Sequence, residues 1–349
     1  MILRRCALQV ADATAFNCHD KSMASRISKS VVLIRYPVVH ALLFSLMAVG
    51  SGGVSGQDYP TRPIRIVTSE AGGGNDLTSR LIGQGLSATL GQPVITDNRG
   101  ITGYDLVAKA SPDGHTLLLH GAPFWLAPLL QKMPYDPVRD FSPITLAIRQ
   151  PNLVVIHPSL PVNSIRELIA LAKAKPGELN YGAASLGSSS HLSAELFKSM
   201  AGVNITRIGY KSGGAASNAL ISGEVQLLFV SPASSAPFVK SGKLKALAVA
   251  SAEPSPLAPG IPTVAASGLP GFESLSMAGV FAPAKTPAAI INRLNRDIVQ
   301  VLHQTGVRER LFSTGVEIVG NSPAELAATV RSEIAKYGKV IKDAGIRIE

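Results

Sequence analysis

Ile64-Arg-Ile-Val-Thr-Ser-Glu-Ala-Gly-Gly-Gly-Asn-Asp-Leu77 joins an apolar run to a helical pattern through three consecutive glycines. Ile64–Val67 has the length and apolar character of a buried strand. From Leu77 a helical pattern runs to Leu90 and closes at Gly91. Strand, glycine turn and helix make the opening unit of an α/β fold. The unit recurs. Strand-like runs at Val94–Thr96, Thr116–Leu119, Leu153–Ile156, Leu179–Tyr181, Thr206–Gly209, Val225–Phe229 and Leu244–Ala250 alternate with helical patterns. Helices are expected over Ser164–Lys175, with Ser164 and Glu167 as a capping box, over His191–Ala201, up to Gly223, over Pro287–Gln304 and over Pro323–Ala344. The alternation predicts an α/β protein with mostly parallel sheets.

The chain has 349 residues, enough for two domains. Two strand-like stretches, Ala147–Val155 and Ser276–Ala282, are the expected crossings between them. With both crossings in place, domain 1 comprises residues 57–153 and 278–349, and domain 2, residues 154–277, is inserted into it.

Residues 1–56 have a different character. Lys29 and Arg35 precede the apolar stretch Pro37–Val49, and the small residues Gly50-Ser-Gly-Gly-Val-Ser-Gly56 follow. This is the pattern of a secretory signal, with cleavage expected after Gly56 and a periplasmic destination; Met1 or Met23 serves as its start. The apolar stretch is short for a membrane span. Both cysteines, Cys6 and Cys18, lie in this segment. The mature chain therefore has no thiol nucleophile, thiolate metal site or disulfide.

Charge and composition narrow the partners. The net charge is +10, and six of the 33 Lys/Arg but two of the 23 Asp/Glu fall in residues 1–56. From Gln57 onward, 27 basic residues face 21 acidic ones, a formal +6 without a basic block. Aromatics are 5% of the chain, with Trp125 the single tryptophan. A nucleic-acid partner is not expected.

Four loops share one form: an apolar strand, then Gly, Ser or Asn, then a helix start. They are Gly72–Asp76, Ser185–His191, Lys211–Gly214 and Ser231–Ala233. In open α/β sheets such loops lie at the carboxyl ends of strands, where ligands bind. Free N–H groups at a helix start attract anions; glycine permits close approach, and serine adds a donor. Two such loops facing each other would grip a carboxylate without arginine. Catalytic motifs are absent. Gly72–Asp76 is neither a dinucleotide fingerprint nor a P-loop, and the chain has no GxSxG elbow. Ser190 and His191 are adjacent in sequence, which fits a helix cap better than a nucleophile and its base. The mature histidines, His115, His120, His157, His191 and His303, lack metal-binding spacing.

The order of short motifs resembles one family. These are Tyr59-Pro-Thr-Arg-Pro-Ile-Arg65, Gly72-Gly73 with Asp76, Asn98-Arg99, Ser111-Pro-Asp-Gly-His-Thr-Leu-Leu118, Pro134-Tyr-Asp-Pro137 and Asp140-Phe-Ser-Pro143. Gly177-Glu-Leu-Asn-Tyr181, Ser189-Ser-His-Leu-Ser-Ala-Glu-Leu-Phe-Lys198, Ser241–Val249, Ile261-Pro-Thr-Val-Ala265 and Ala282–Ala289 follow. From about Tyr59 to Ile346 the chain resembles the periplasmic solute-binding proteins of tripartite tricarboxylate transporters, the Bug or TctC family. The resemblance implies a two-domain fold of the periplasmic-binding-protein type II class, two mixed or parallel sheets joined by a two-strand hinge. It implies a non-catalytic receptor for a small carboxylate, without cofactor or metal, monomeric, docking on a membrane permease. One jaw would be Gly72, Gly73, Gly74, Asn75 and Asp76. The other would be Ser185, Ser188, Ser189, Ser190 and His191, with Tyr210, Lys211 and Ser231 lining the cleft. A sensor of the same fold, or an enzyme acting through Ser190 or His191, are the alternatives.

The chain departs from the family pattern in four places. Thr68-Ser69 stands where Pro-Phe is usual, and Glu70 adds a negative charge beside the first jaw. The loop after Arg99 is shorter than usual, and Phe229-Val230-Ser231 replaces Phe-Asp-Asn.

Overall fold

The computed structural model describes residues 59–184 and 186–346. The segment read as a secretory signal lies outside these residues, as does Ser185. Among the described residues no helix is long and apolar enough to cross a membrane.

Two sheets carry the fold. The first contains β1 (Ile64–Thr68), β2 (Val94–Asn98), β3 (Thr116–Gly121), β4 (Phe141–Pro151), β10 (Leu275–Pro283) and β11 (Glu317–Ile318), in the order β11-β4-β10-β3-β1-β2. The second contains β5 (Leu153–Ile156), β6 (Asn180–Ala183), β7 (Thr206–Gly209), β8 (Leu227–Val230) and β9 (Lys245–Val249), in the order β7-β6-β8-β5-β9. The helices are α1 (Gly74–Leu90), α2 (Thr102–Ala108), α3 (Ala122–Leu130), α4 (Ile165–Ala174), α5 (Ser189–Ala201), α6 (Gly213–Ile221), α7 (Pro232–Lys240), α8 (Ala288–Leu302), α9 (Thr305–Ser313) and α10 (Pro323–Asp343).

The sheets are less parallel than the strand–helix alternation predicts. β1 pairs in parallel with β2 and β3, and β6 with β7 and β8. The pairs of β10 with β3 and β4, and of β5 with β8 and β9, are antiparallel. The cause is the crossing itself. β4 leaves the first sheet at Pro151 and, after Asn152 alone, continues as β5 in the second. β10 brings the chain back into the first sheet beside β4, running against it from Leu275 opposite Pro151 to Pro283 opposite Phe141. The molecule is thus a two-domain α/β fold with mixed sheets and a two-strand connection.

Local chemistry explains the elements. In α8, Ile290, Ile291, Leu294, Ile298, Val301 and Leu302 form one buried stripe. The expected capping box of α4 is only half closed. Ser164 Oγ accepts the Glu167 amide at 3.2 Å, but the Glu167 carboxylate takes the Asn163 amide at 2.7 Å. A complete box starts α10 at Ser322 and Glu325. One apolar cluster reaches from Phe124 and Trp125 beside the first sheet to Phe197, Phe229 and Phe272 around the second, with Tyr337 of α10 included. Most of its rings meet edge-on or tilted, as at Phe124–Phe141 (4.6 Å) and Phe197–Phe229 (5.8 Å), while Phe124 and Tyr135 stack at 5.5 Å.

Candidate functional site

The first predicted jaw is a brace as well as a mouth. Gly73 caps α1 without a side chain, so nothing of its own covers the first amides of the helix. Asp76 turns inward: its carboxylate accepts the Gly72 amide (2.9 Å), Arg80 Nε (2.9 Å) and Asn98 Nδ2 (3.0 Å). Asn98 also donates to the Ser69 carbonyl at 2.7 Å. Those bonds, the Gly72 amide first, hold the Asp76 carboxyl at a pKa of about 2. The Gly72 amide and the Asp76 side chain therefore shape the loop, while Gly74 and Asn75 line the cleft. The exposed Glu70 leans over Gly100, where any Cβ would collide with its carboxylate. Gly100 has φ +53°, a backbone conformation that favours glycine.

The second jaw is built similarly. Ser188 caps α5 through a bond from the His191 amide (3.4 Å), and its hydroxyl meets Ser190 Oγ at 3.2 Å. Ser189 and Ser190 occupy the first turn, where amides have no partner inside the helix. His191 is buried, and its Nδ1 accepts the Gly187 amide at 3.0 Å. The proton of the neutral ring then sits on Nε2. Burial, aided by the Arg207 guanidinium, lowers the His191 pKa to about 4. Arg207 also donates to the Ala184 carbonyl at 2.8 Å, bracing the start of the same loop. No hydrogen bond joins Ser190 to His191. His191 is therefore a lock for the loop and is not arranged as a base for Ser190.

Two small cavities adjoin these loops, and one of them is bordered by residues of both. One, of about 160 Å³, is lined by Asn75, by Gly121, Ala122 and Pro123 at the start of α3, and by Gly187, Ser189 and Leu192 at the start of α5. Its remaining lining is Ser274 and the first three residues of β10, Leu275–Met277, with Glu333 and Tyr337 of α10. The second cavity, of about 200 Å³, takes in Ser69, Gly74, Gln150 and Val316, and shares Asn75, Ser276 and Met277 with the first. Neither is lined by Lys, Arg or His. Three helix starts thus converge on one cavity. Gly121, like Gly73, offers no side-chain cap, and a Cβ on it would strike the Met277 carbonyl.

The sequence reading and the structure differ on the rest of the lining. Tyr210, Lys211 and Ser231 border neither cavity. Tyr210 follows the edge strand β7 and donates to Glu224 at 2.7 Å; its burial and that carboxylate raise its pKa to about 12. Lys211 is exposed, and the Ser231 hydroxyl caps α7. Ser185 lies outside the described residues. Four groups went unread: the Gly121–Pro123 corner, the Ser274–Met277 segment, Glu333 and Tyr337. The glycine before a proline-bearing helix start was a legible signal for the first. The α10 residues gave none, because a helical stripe shows which face packs and not what it packs against.

Buried hydrogen bonds tie these parts together. Asn152, between β4 and β5, donates to Ser189 Oγ (3.2 Å) and Ser193 Oγ (2.9 Å). Ser193 meets Ser274 at 2.6 Å, and Ser274 meets the Tyr337 hydroxyl at 2.8 Å. Both crossings, α5 and α10 therefore share one polar seam beside the cavity.

Comparison with known proteins adds the following. The model of the tripartite tricarboxylate transporter family receptor matches residues 78–346. The chain is 34% identical over 304 residues to protein BugT of Bordetella pertussis, covering 85% of this chain and 93% of that protein. A solved structure described as R. palustris Rpa4515 with adipate is 37% identical, with a TM-score of 0.68 over 83% of this chain and 99% of that one. MatC (Rpa3494) from Rhodopseudomonas palustris, solved with bound malate, is 32% identical, with a TM-score of 0.66 over 81% and 100%.

Proposed function

The chain belongs to the tripartite tricarboxylate transporter receptor family, and on that premise we propose that it is a periplasmic receptor for a small carboxylate, which it delivers to a membrane permease. The observation that carries this reading is the convergence of the α1, α3 and α5 starts on one cavity without a cationic side chain. Oriented N–H groups hold an anion in such a place, and each hydrogen bond to a charged group contributes about 1.5–3 kcal/mol. Micromolar affinity needs about 8 kcal/mol, which a few such bonds and cleft closure supply. Adipate and malate in the two solved relatives support the ligand class. The jaws in this reading are Gly74 and Asn75, with Ser189 and Ser190, each held in shape by a residue behind it: Asp76 in the first, His191 in the second. The closing lobes of this reading, residues 57–153 with 278–349 and residues 154–277, divide within three residues of the sheet changes at Asn152 and before Leu275. Residues 1–56 direct export, and catalysis has no part.

A melting screen of the mature chain, Gln57–Glu349, tests the reading. A carboxylate at 100 times its Kd should add about 2.7 kcal/mol of stability. A rise in melting temperature with small carboxylates, and none with amines or sugars, is expected. No rise with any carboxylate overturns the proposal.

A further inference from the structure

Glu333 is the one ionisable acid among the residues lining the cavity between the jaws. It is 5% exposed. One of its oxygens, Oε1, accepts from Lys336 Nζ at 2.5 Å. The other, Oε2, has essentially no accessible surface in this conformation and no hydrogen-bond partner among the described residues. Glu333 also borders a larger neighbouring cavity of about 420 Å³, together with Lys336 and Arg149; Lys336, which does not line the smaller cavity, donates to the Glu273 carbonyl at 3.2 Å. Arg149 is paired with Glu317 at 2.9 Å. Two hydroxyls that line the smaller cavity with Glu333, those of Tyr337 and Ser274, are bonded to each other.

A buried acceptor without a donor is costly, and natural structures rarely leave one unless something else supplies the donor. The helix starts answer one negative charge. A second carboxylate on the ligand would meet no cation in this cavity and would share it with Glu333. Resting on the receptor reading above, we infer that Glu333 sets the ligand class: a carboxylate carrying a hydrogen-bond donor, hydroxyl or ammonium, at its far end. Of two acids of equal length, the cavity takes the ω-hydroxy or ω-amino monocarboxylate over the dicarboxylate. Glu333 is a specificity-determining residue in this account. Asn75, Ser189 and the helix amides hold the shared carboxylate.

Calorimetric titration of the mature chain with C4 to C6 straight-chain acids ending in methyl, hydroxyl, ammonium or carboxylate tests this. The hydroxyl or ammonium member of one length should bind at least about ten-fold tighter than the methyl and dicarboxylate members, equivalent to about 1.4 kcal/mol. Glu333→Gln, checked for folding by its melting curve, should reduce that preference to less than about three-fold while keeping the affinity for the methyl member. A dicarboxylate that binds as tightly as the donor-bearing acid overturns the inference and leaves the receptor reading standing. So does a preference unchanged in Glu333→Gln. A wild-type chain that binds no member of the series, together with a melting screen that finds no carboxylate, overturns both.

Discussion

Asp76 shows how one residue can shape a site that it does not fill. Its carboxylate accepts from the Gly72 amide, Arg80 and Asn98, and so fixes the loop whose next residues line the cleft. Asp76→Asn should cost about 1–2 kcal/mol, because one charge-assisted acceptor is replaced by an amide that misplaces a donor. The carboxyl pKa is lowered in the folded chain, so its stabilisation is complete above its ordinary value of 3.8 and fades as pH falls toward about 2. Urea unfolding between pH 2 and pH 5 should show that loss in the wild type and a shallower one in Asp76→Asn (window set by the same shift). His191 acts in a higher window. Its pKa falls from 6.5 to about 4 on folding, so the unfolded chain binds the extra proton first. Stability from the neutral ring is full above pH 6.5 and is lost as pH falls to about 4. Buried His120, also near 4, adds to the same slope. His191→Asn should flatten part of it and leave the His120 part.

Among the elements, the corner between β3 and α3 is the most exacting. Gly121 pairs with Ala278 across the sheet, and the Met277 carbonyl occupies the place of a Cβ. Gly121→Ala should cost about 1–3 kcal/mol by forcing β10 away, read as a lower denaturation midpoint at unchanged slope. The β1 unit was legible because strand, glycines and helix stand in line from Ile64 to Leu90. β5 and β7 were likewise read at their observed limits, β5 because it is a short apolar run between Asn152 and His157. α3 was not legible. It is apolar on nearly every side, five of its nine residues are buried, and Pro128 lies inside it, so it lacks the stripe that marks a helix. β4 was read only in part, because its eleven residues pass through a bulge and out of the sheet. Tyr210, Lys211 and Ser231 were expected in the cleft from the family resemblance. Loop form does not encode how far a strand lies from the cleft, and β7 lies at the edge of its sheet.

At the scale of the molecule, two sheets, two crossings and one seam of hydrogen bonds bring the α1, α3 and α5 starts around one cavity. The seam from Ser189 through Asn152, Ser193 and Ser274 to Tyr337 links the second jaw to both crossings and to α10. Hinge closure of such a pair of lobes buries a ligand between helix starts contributed by each. The central claim is that backbone amides, not cationic side chains, hold the ligand's carboxylate. Proline at the first helical position removes an amide while suiting the helix, and both preceding residues, Gly73 and Ser188, already have extended backbone. The decisive measurement is therefore calorimetric titration of the best-binding carboxylate into the wild type, Gly74→Pro, Ser189→Pro and the control Ser189→Ala. At least about ten-fold weaker binding is expected in each proline variant, about 1.4 kcal/mol or more, with folding retained and a smaller change in Ser189→Ala. Proline variants that fold and bind as tightly as the wild type would contradict it.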